Sequence, residues 1–268
     1  MLEQAGVHVV YGLVGLKTHS KIAMVVRQED DGIRRYIHLA TGNYNVNTSR
    51  IYEDMGIFTC DEAMGADASD LFNYLTGYST KQDYQKLLVA PVNLRQRFEA
   101  LIRREIEHAK AGRKACMIFK ANSLVDPTII ALLYEASQAG VCVAVLVRGM
   151  CSLRAGIKGV SENIEVISIV GRYLEHSRVY YFLNGGQEEM YLGSADLMQR
   201  NLDHRVEVVF PLEKPEHVRY LRDQVLETYL HDNLRARVMQ ADGKYKRLKP
   251  GSNQEKVDVQ EWLMAHGK

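Results

Sequence analysis

No apolar run in this 268-residue chain approaches the ~20 residues a membrane-spanning helix needs, and no secretory leader pattern is recognisable. Charge of one sign is also lacking. With 34 basic and 33 acidic residues the net charge is +1, so no global field draws the protein to nucleic acid or to an anionic membrane. Any polyanion must then be held by a local cluster. Cysteine is sparse: Cys60, Cys116, Cys142 and Cys151 show no CxxC spacing and read as buried free thiols of a reducing compartment, which makes the cytoplasm the expected location. The usual phosphate-binding signatures are missing. Gly15-Leu16-Lys17-Thr18 lacks the G-x-x-x-x-G-K-[ST] spacing of a P-loop, and Asp203-His204-Arg205 has the wrong order and context for a protein-kinase catalytic loop. His8, His38, His108, His204, His217, His231 and His266 have no metal-ligand spacing. Phosphoryl chemistry, if present, must take another route.

What is present is a pair of tripeptides, His19-Ser20-Lys21 and His176-Ser177-Arg178. Each opens an apolar, strand-like run and leads to a small-residue turn, Ala40-Thr41-Gly42-Asn43 and Gly193-Ser194-Ala195-Asp196. At a strand start, side chains two residues apart share a face, so each His lies beside a cation. An imidazole next to a fixed positive charge suits attack on a phosphoryl group: one supplies a nucleophile or proton, the other neutralises oxygen charge. The guanidinium of Arg178 can bind phosphate oxygens bidentately. Two such units suggest one composite site.

The second half alternates strands (Lys114–Lys120, Val141–Val147, Ile164–Val170, Val179–Leu183, Val206–Phe210) with helices (Leu94–Ala111, Pro127–Gln138, Pro215–Leu230, Gln254–Ala265), an α/β pattern with a largely buried sheet. Leu2–Val9 repeats Glu135–Val143: a helix end, an Ala-Gly cap, then a strand. Only the second copy is preceded by a whole strand and helix, so the first unit is expected to be truncated at its N-terminus. The division between units is expected near Lys86–Pro91, giving residues 1–88 and 89–268.

Other motifs are weaker. Arg148-Gly149 ends an apolar strand, where ligands of open α/β sheets bind, but a solvated charge there is also ordinary. The turn Thr41–Asn45 offers backbone N–H groups to an anion, or is a plain loop. Tyr52, placed on a helix-like stretch, suits stacking on a base or packing in the core. Asp203 fits either orienting a His or a surface salt bridge. The basic run Lys244–Lys249 reads as a solvated hairpin.

Together Gly15–Lys21, Ala40–Asn45, Leu146–Leu153, Tyr173–Arg178 and Ser194–Asp196 resemble, in order, the motifs of the bacterial polyphosphate kinases of the first type. The resemblance runs from residue 1 nearly to 268. It implies two phospholipase-D-like α/β domains in tandem, the first truncated, and an enzyme that reversibly moves the terminal phosphate of ATP onto inorganic polyphosphate through a phosphohistidine, with magnesium. Carried over, His19 matches the phosphorylated nucleophile; Tyr52, Arg148 and His176 match residues contacting ATP, with Tyr52 near the base. Lys21, Arg148 and Arg178 stand where the equatorial phosphate oxygens need charge, and His176 either protonates the leaving oxygen or positions the phosphate. The family's magnesium-contacting arginines lie upstream of the His19 motif and are absent from this chain. The resemblance further implies ATP/ADP and polyphosphate as partners, a homo-oligomer in the full-length enzyme and scope for peripheral association with the inner membrane. Val26 and Leu183 replace the Asp of the H-x-K-x-x-x-x-D motif, which argues against a phospholipase-D-like phosphodiesterase. A third reading is a nucleotide- and polyphosphate-binding module without turnover.

Overall fold

The computed structural model describes residues 1–78 and 83–267. The first unit supplies β1 (Lys17–Thr18), the hairpin β2 (Ile22–Glu29) and β3 (Gly32–Ala40), β4 (Tyr52–Glu53), β5 (Gly56–Thr59) and α1 (Glu62–Leu75). Next come β6 (Leu88–Ala90), α2 (Leu94–Lys110), β7 (Cys116–Ala121), α3 (Pro127–Gln138), β8 (Cys142–Val147) and β9 (Ile164–Ile169). They are followed by β10 (Leu174–Glu175), β11 (Arg178–Phe182), β12 (Glu189–Gly193), α4 (Gln199–Asp203) and β13 (Arg205–Pro211). The last elements are α5 (Pro215–Tyr220), a π-helical turn over Leu221–Leu226, α6 (Glu227–His231), the hairpin of β14 (Ala236–Met239) and β15 (Tyr245–Arg247), and α7 (Val259–His266).

The helix expected over Gln254–Ala265 starts only at Val259, because the Asp258 carboxylate accepts from the Gln260 and Glu261 amides and fixes the N-terminus there. Tyr52 lies on a strand rather than a helix-like stretch. The four thiols are free, but none is fully buried: Cys60 and Cys142 are exposed and Cys116 and Cys151 half-buried. Cys116 and Cys142 are register partners at the first positions of β7 and β8, where the sheet meets solvent.

Ten strands form the main sheet, in the order β1-β13-β12-β11-β7-β8-β9-β14-β15, with β6 on β13. Helices α2 and α3 cover one face. On α2 the spacing Leu94, Phe98, Leu101, Ile102, Ile106 makes an apolar stripe, and Phe98 meets Tyr180 edge-on at 4.7 Å. On the opposite face, Met64, Ala68 and Leu71 of α1 pack with Val218, Val225, Leu226 and Tyr229 of the α5–α6 region, and with Ile37 and Leu39 of a small sheet, β2-β3-β5. The Asp67 carboxylate on α1 accepts from the amides of Gln85, Lys86 and Leu87 at 2.7–2.9 Å, fixing the connection into β6.

The repeat has a three-dimensional counterpart. β2-β3-β5 and β11-β12-β13 are both antiparallel triplets, and each is followed by a helix. The short strand before each His pairs in parallel with the other unit: β1 lies on β13 (Lys17 beside Arg205), and β10 lies on β4 (Leu174 beside Tyr52). These exchanged strands bring the two motifs face to face.

Candidate active site

His19 follows β1 and is held by the backbone of the other unit: the His19 and Ser20 amides both donate to the Val206 carbonyl, at 2.8 and 3.0 Å. Its Nδ1 lies 2.8 Å from Glu207 Oε2 on β13. A carboxylate only accepts, so Nδ1 carries a proton and the lone pair of the neutral ring lies on Nε2. Glu207 is wholly buried and is itself fixed by Ser194 Oγ at 2.5 Å and Asn201 Nδ2 at 2.7 Å. No hydrogen-bond partner meets His19 Nε2 among the described residues. The ring borders an open polar cavity lined by Lys17, Thr18, Ser20, Lys21, Asn43 and Tyr44.

His176 repeats this arrangement from the other side. Its Nδ1 donates to Asp54, 2.8 Å from Oδ1, and Thr41 Oγ1 donates to the same oxygen at 2.7 Å. Each histidine is thus oriented by an acid of the opposite unit, and each acid by a hydroxyl of the turn in its own unit. Gly42 is needed for this: a Cβ there would stand 2.5 Å from the Asp54 carboxyl. Asp54 and Glu207 were not singled out in the sequence, although a signal existed. Each lies thirteen positions after its turn hydroxyl, Thr41 or Ser194, at equivalent places of the repeat.

The two halves differ in their cations. Arg178 is buried and paired with Asp196 through Nε and Nη2, at 3.2 and 3.1 Å, so that edge is not free for the bidentate phosphate contact its residue type suggested. Its Nη1 donates to the His176 carbonyl at 2.7 Å and faces His176 Nε2 at 3.2 Å. A guanidinium only donates, so His176 is locked as the neutral Nδ1–H tautomer. Burial lowers its pKa and the Arg178 charge adds to this, against the raising pull of Asp54. Lys21 has no equivalent carboxylate contact; its Nζ donates to the His19 carbonyl. Burial pulls its ammonium down to about 8, opposed by Glu207 and reinforced by Arg178. The charges of Asp54 and Asp196 also pull it upward.

Tyr52 stands with its ring 4.8 Å from that of His176. Arg148, at the end of β8, donates through Nε to the Glu175 carbonyl; burial lowers its pKa, and the charges of Asp196, Arg178 and Tyr52 all act on it. All six residues expected at the site therefore converge. Asp203 does not join them: its carboxylate is bound by Arg95 through Nε at 2.6 Å and Nη2 at 2.7 Å, because α4 turns it toward α2. Beneath His176 lies a buried ionic cluster. Lys120 Nζ sits 2.8 Å from Glu53 and 2.9 Å from Glu175, Ser177 Oγ donates to Glu53, and Tyr229 donates to Glu175 at 2.6 Å. No group of three or more His, Cys, Asp or Glu side chains able to hold a metal ion occurs among the described residues.

Residues 87–260 match the family model for polyphosphate kinase C-terminal domain 2, and residues 1–81 match that for C-terminal domain 1. The chain belongs to the polyphosphate kinase family. It is 55% identical over 259 residues to a polyphosphate kinase of Synechocystis sp. and 51% identical over 263 residues to one of Pseudomonas aeruginosa. Those matches take in 97% and 98% of this chain but 35% and 38% of the relatives, so the chain spans about a third of their length. The crystal structure of the Porphyromonas gingivalis polyphosphate kinase superposes over 98% of this chain and 41% of its own, with a TM-score of 0.92 at 36% identity. Haemophilus influenzae phosphatidylserine synthase shares the fold at 11% identity, with a TM-score of 0.54 over 92% of this chain and 68% of its own. The α/β architecture of two tandem C-terminal domains read from the polyphosphate kinase motifs is the one found.

Proposed function

We propose that this region carries the phosphoryl-transfer site of an ATP:polyphosphate phosphotransferase, with His19 as the covalent nucleophile. The observation that carries the reading is the free Nε2 of His19, its Nδ1 held by Glu207 and an ammonium close by. In the forward direction the Nε2 lone pair attacks the γ-phosphorus of ATP, the bond from phosphorus to the β,γ-bridging oxygen breaks, and ADP leaves. A terminal oxygen of polyphosphate then attacks the same phosphorus, the N–P bond breaks, and the electron pair returns to Nε2. The phosphoramidate is itself a high-energy species, so both steps are near balance and the reaction runs either way.

Lys21, whose ammonium is held at the His19 carbonyl, supplies the charge that stabilises the equatorial oxygens. Arg148 and Tyr52 are the nucleotide contacts. His176 does not protonate a leaving group, because a proton on its Nε2 would face the Arg178 guanidinium. Magnesium is implied by the family, but the described residues offer no cluster for it and no step is assigned to it here. No helix is long and apolar enough to cross a membrane among the described residues. The competing phosphodiesterase reading has no supporting observation. The test is incubation with γ-labelled ATP and magnesium, alongside His19→Ala. An acid-labile, base-stable label on the protein that is lost in the variant is expected; label retained in His19→Ala overturns the assignment. Binding of ATP with no label on either protein marks this chain as a binding module.

A further inference from the structure

The site contains two histidines in near-equivalent settings, and nothing in their acids explains why one should react and not the other. Both rings present Nδ1 to a carboxylate of the opposite unit, and both acids are held by a turn hydroxyl. By that criterion His176 Nε2 ought to be as nucleophilic as His19 Nε2. The difference lies two positions after each turn hydroxyl. In the alignment of Thr41-Gly42-Asn43 with Ser194-Ala195-Asp196, the first unit has a neutral amide where the second has a carboxylate.

We propose that Asp196 decides which histidine accepts the phosphoryl group, by holding Arg178 over His176 Nε2 and leaving only His19 nucleophilic. This rests on the reading of His19 as the acceptor given above. Asp196 is well placed for the role. It is buried, its Oδ1 accepts from the Asn122 amide at 2.7 Å, and its two oxygens hold Arg178 by two nitrogens. The guanidinium so fixed cannot swing away, and its Nη1 occupies the His176 Nε2 lone pair, the electrons that attack on phosphorus would need. A hydrogen bond from a charged donor is strong enough to suppress reaction at that nitrogen about tenfold or more. Lys21, whose unit has Asn43 at the place of Asp196, donates to the His19 carbonyl as Arg178 does to that of His176, but no donor meets the His19 ring nitrogen among the described residues. Asp196 acts through Arg178 and is a positioning residue.

The test uses phosphoramidate as the phosphodonor, so that selection between the histidines is read without needing kinase turnover. Its P–N bond breaks, an Nε2–P bond forms, and ammonia leaves with the imidazole proton. The whole chain, Asp196→Asn, His19→Ala and the His19→Ala/Asp196→Asn double variant are treated and the phosphohistidines mapped by mass spectrometry at alkaline pH. Of the two site histidines, label is expected at His19 alone in the parent, with a rise at His176 of about tenfold or more in Asp196→Asn and label at His176 in the double variant. Arg178→Met/Asp196→Asn, which leaves no unpaired charge, should behave like Asp196→Asn and guards against misfolding of the single variant. Labelling of both histidines in the parent overturns the proposal. So does an unlabelled His176 in all three Asp196 variants with native circular dichroism. A parallel ATP arm separates the two readings. Selection seen with phosphoramidate but no label from ATP removes the kinase reading alone, whereas label from ATP with His176 silent in every variant removes the selection alone.

Discussion

Lys21→Met is expected to stabilise the fold while abolishing transfer. Lys21 is 4% exposed, and its pKa is drawn from 10.5 to about 8, chiefly by burial. A shift of that size corresponds to about 3 kcal/mol of penalty on the charged form at neutral pH. Removing the ammonium also deprives Glu207, Asp54 and Asp196 of a neighbouring cation, so the net gain at pH 7 should be about 1–3 kcal/mol. The pH dependence isolates the cause. Below about 8 both folded and unfolded chains hold the proton and the penalty is complete. Between about 8 and 10.5 the unfolded chain keeps a proton the folded chain has released, so parent stability climbs with pH through this group. The variant has no such climb, and its advantage should fade across that window. Urea unfolding of both proteins at pH 7 and at steps up to pH 10 measures it. A variant less stable than the parent at pH 7 by more than about 1 kcal/mol, or a difference that does not change with pH, refutes the reasoning. The same ionisation should make kcat/KM fall above about pH 8, since that ratio reports the free enzyme.

Glu207→Gln replaces an obligatory acceptor with an amide that can donate to Nδ1, so His19 is no longer held with its lone pair on Nε2. Phosphohistidine formation should slow by about 100-fold or more with little change in melting temperature; an unchanged rate removes Glu207 from the mechanism. Lys120→Met leaves Glu53 and Glu175 facing each other without their shared cation, which should cost about 3–5 kcal/mol at neutral pH. That loss should shrink as pH falls and the stranded carboxylates take up protons. A pH-independent loss in chemical denaturation would point to packing instead.

The parts of the fold that are legible in the sequence are those whose causes are local. The stripe on α2 and the β-branched run of β8 announce themselves through spacing, and Asp126 with Pro127 marks the start of α3. The chemistry-bearing tripeptides are legible because they recur. What escapes is long-range. Nothing near Tyr52 indicates that a two-residue strand there pairs with Leu174–Glu175, more than a hundred residues away, so its placement on a helix failed for want of a local signal. Asp203 is a plausible partner for a histidine by sequence proximity, yet α4 aims it at Arg95, while Glu207, four residues on, takes the role. The same blindness affects Arg178. Its residue type suggests a phosphate fork, and only the packed structure shows the fork already closed on Asp196.

The comparison of the two buried lysines indicates which parts of the site are built for stability and which for reaction. Lys120 and Lys21 are almost equally inaccessible. Lys120 has two carboxylates within 2.9 Å, and these, Glu53 foremost, raise its pKa in spite of burial. It is a satisfied group, tying β4 to β10 and thereby fixing Tyr52 against His176. Lys21 is left with a backbone carbonyl, so its charge is only partly compensated and its pKa falls. A fold that places Glu53 and Glu175 around one lysine could have done the same for the other, and at Asn43 it has an amide where the repeat allows an aspartate. On the proposed reading, this partly compensated charge costs stability that a bound phosphate would repay. On this view the site is asymmetric by one charge. The cation of the half containing His176 is in direct contact with its carboxylate, whereas that of the half containing His19 feels Glu207 without contact; on the proposed reading a bound phosphate completes its compensation.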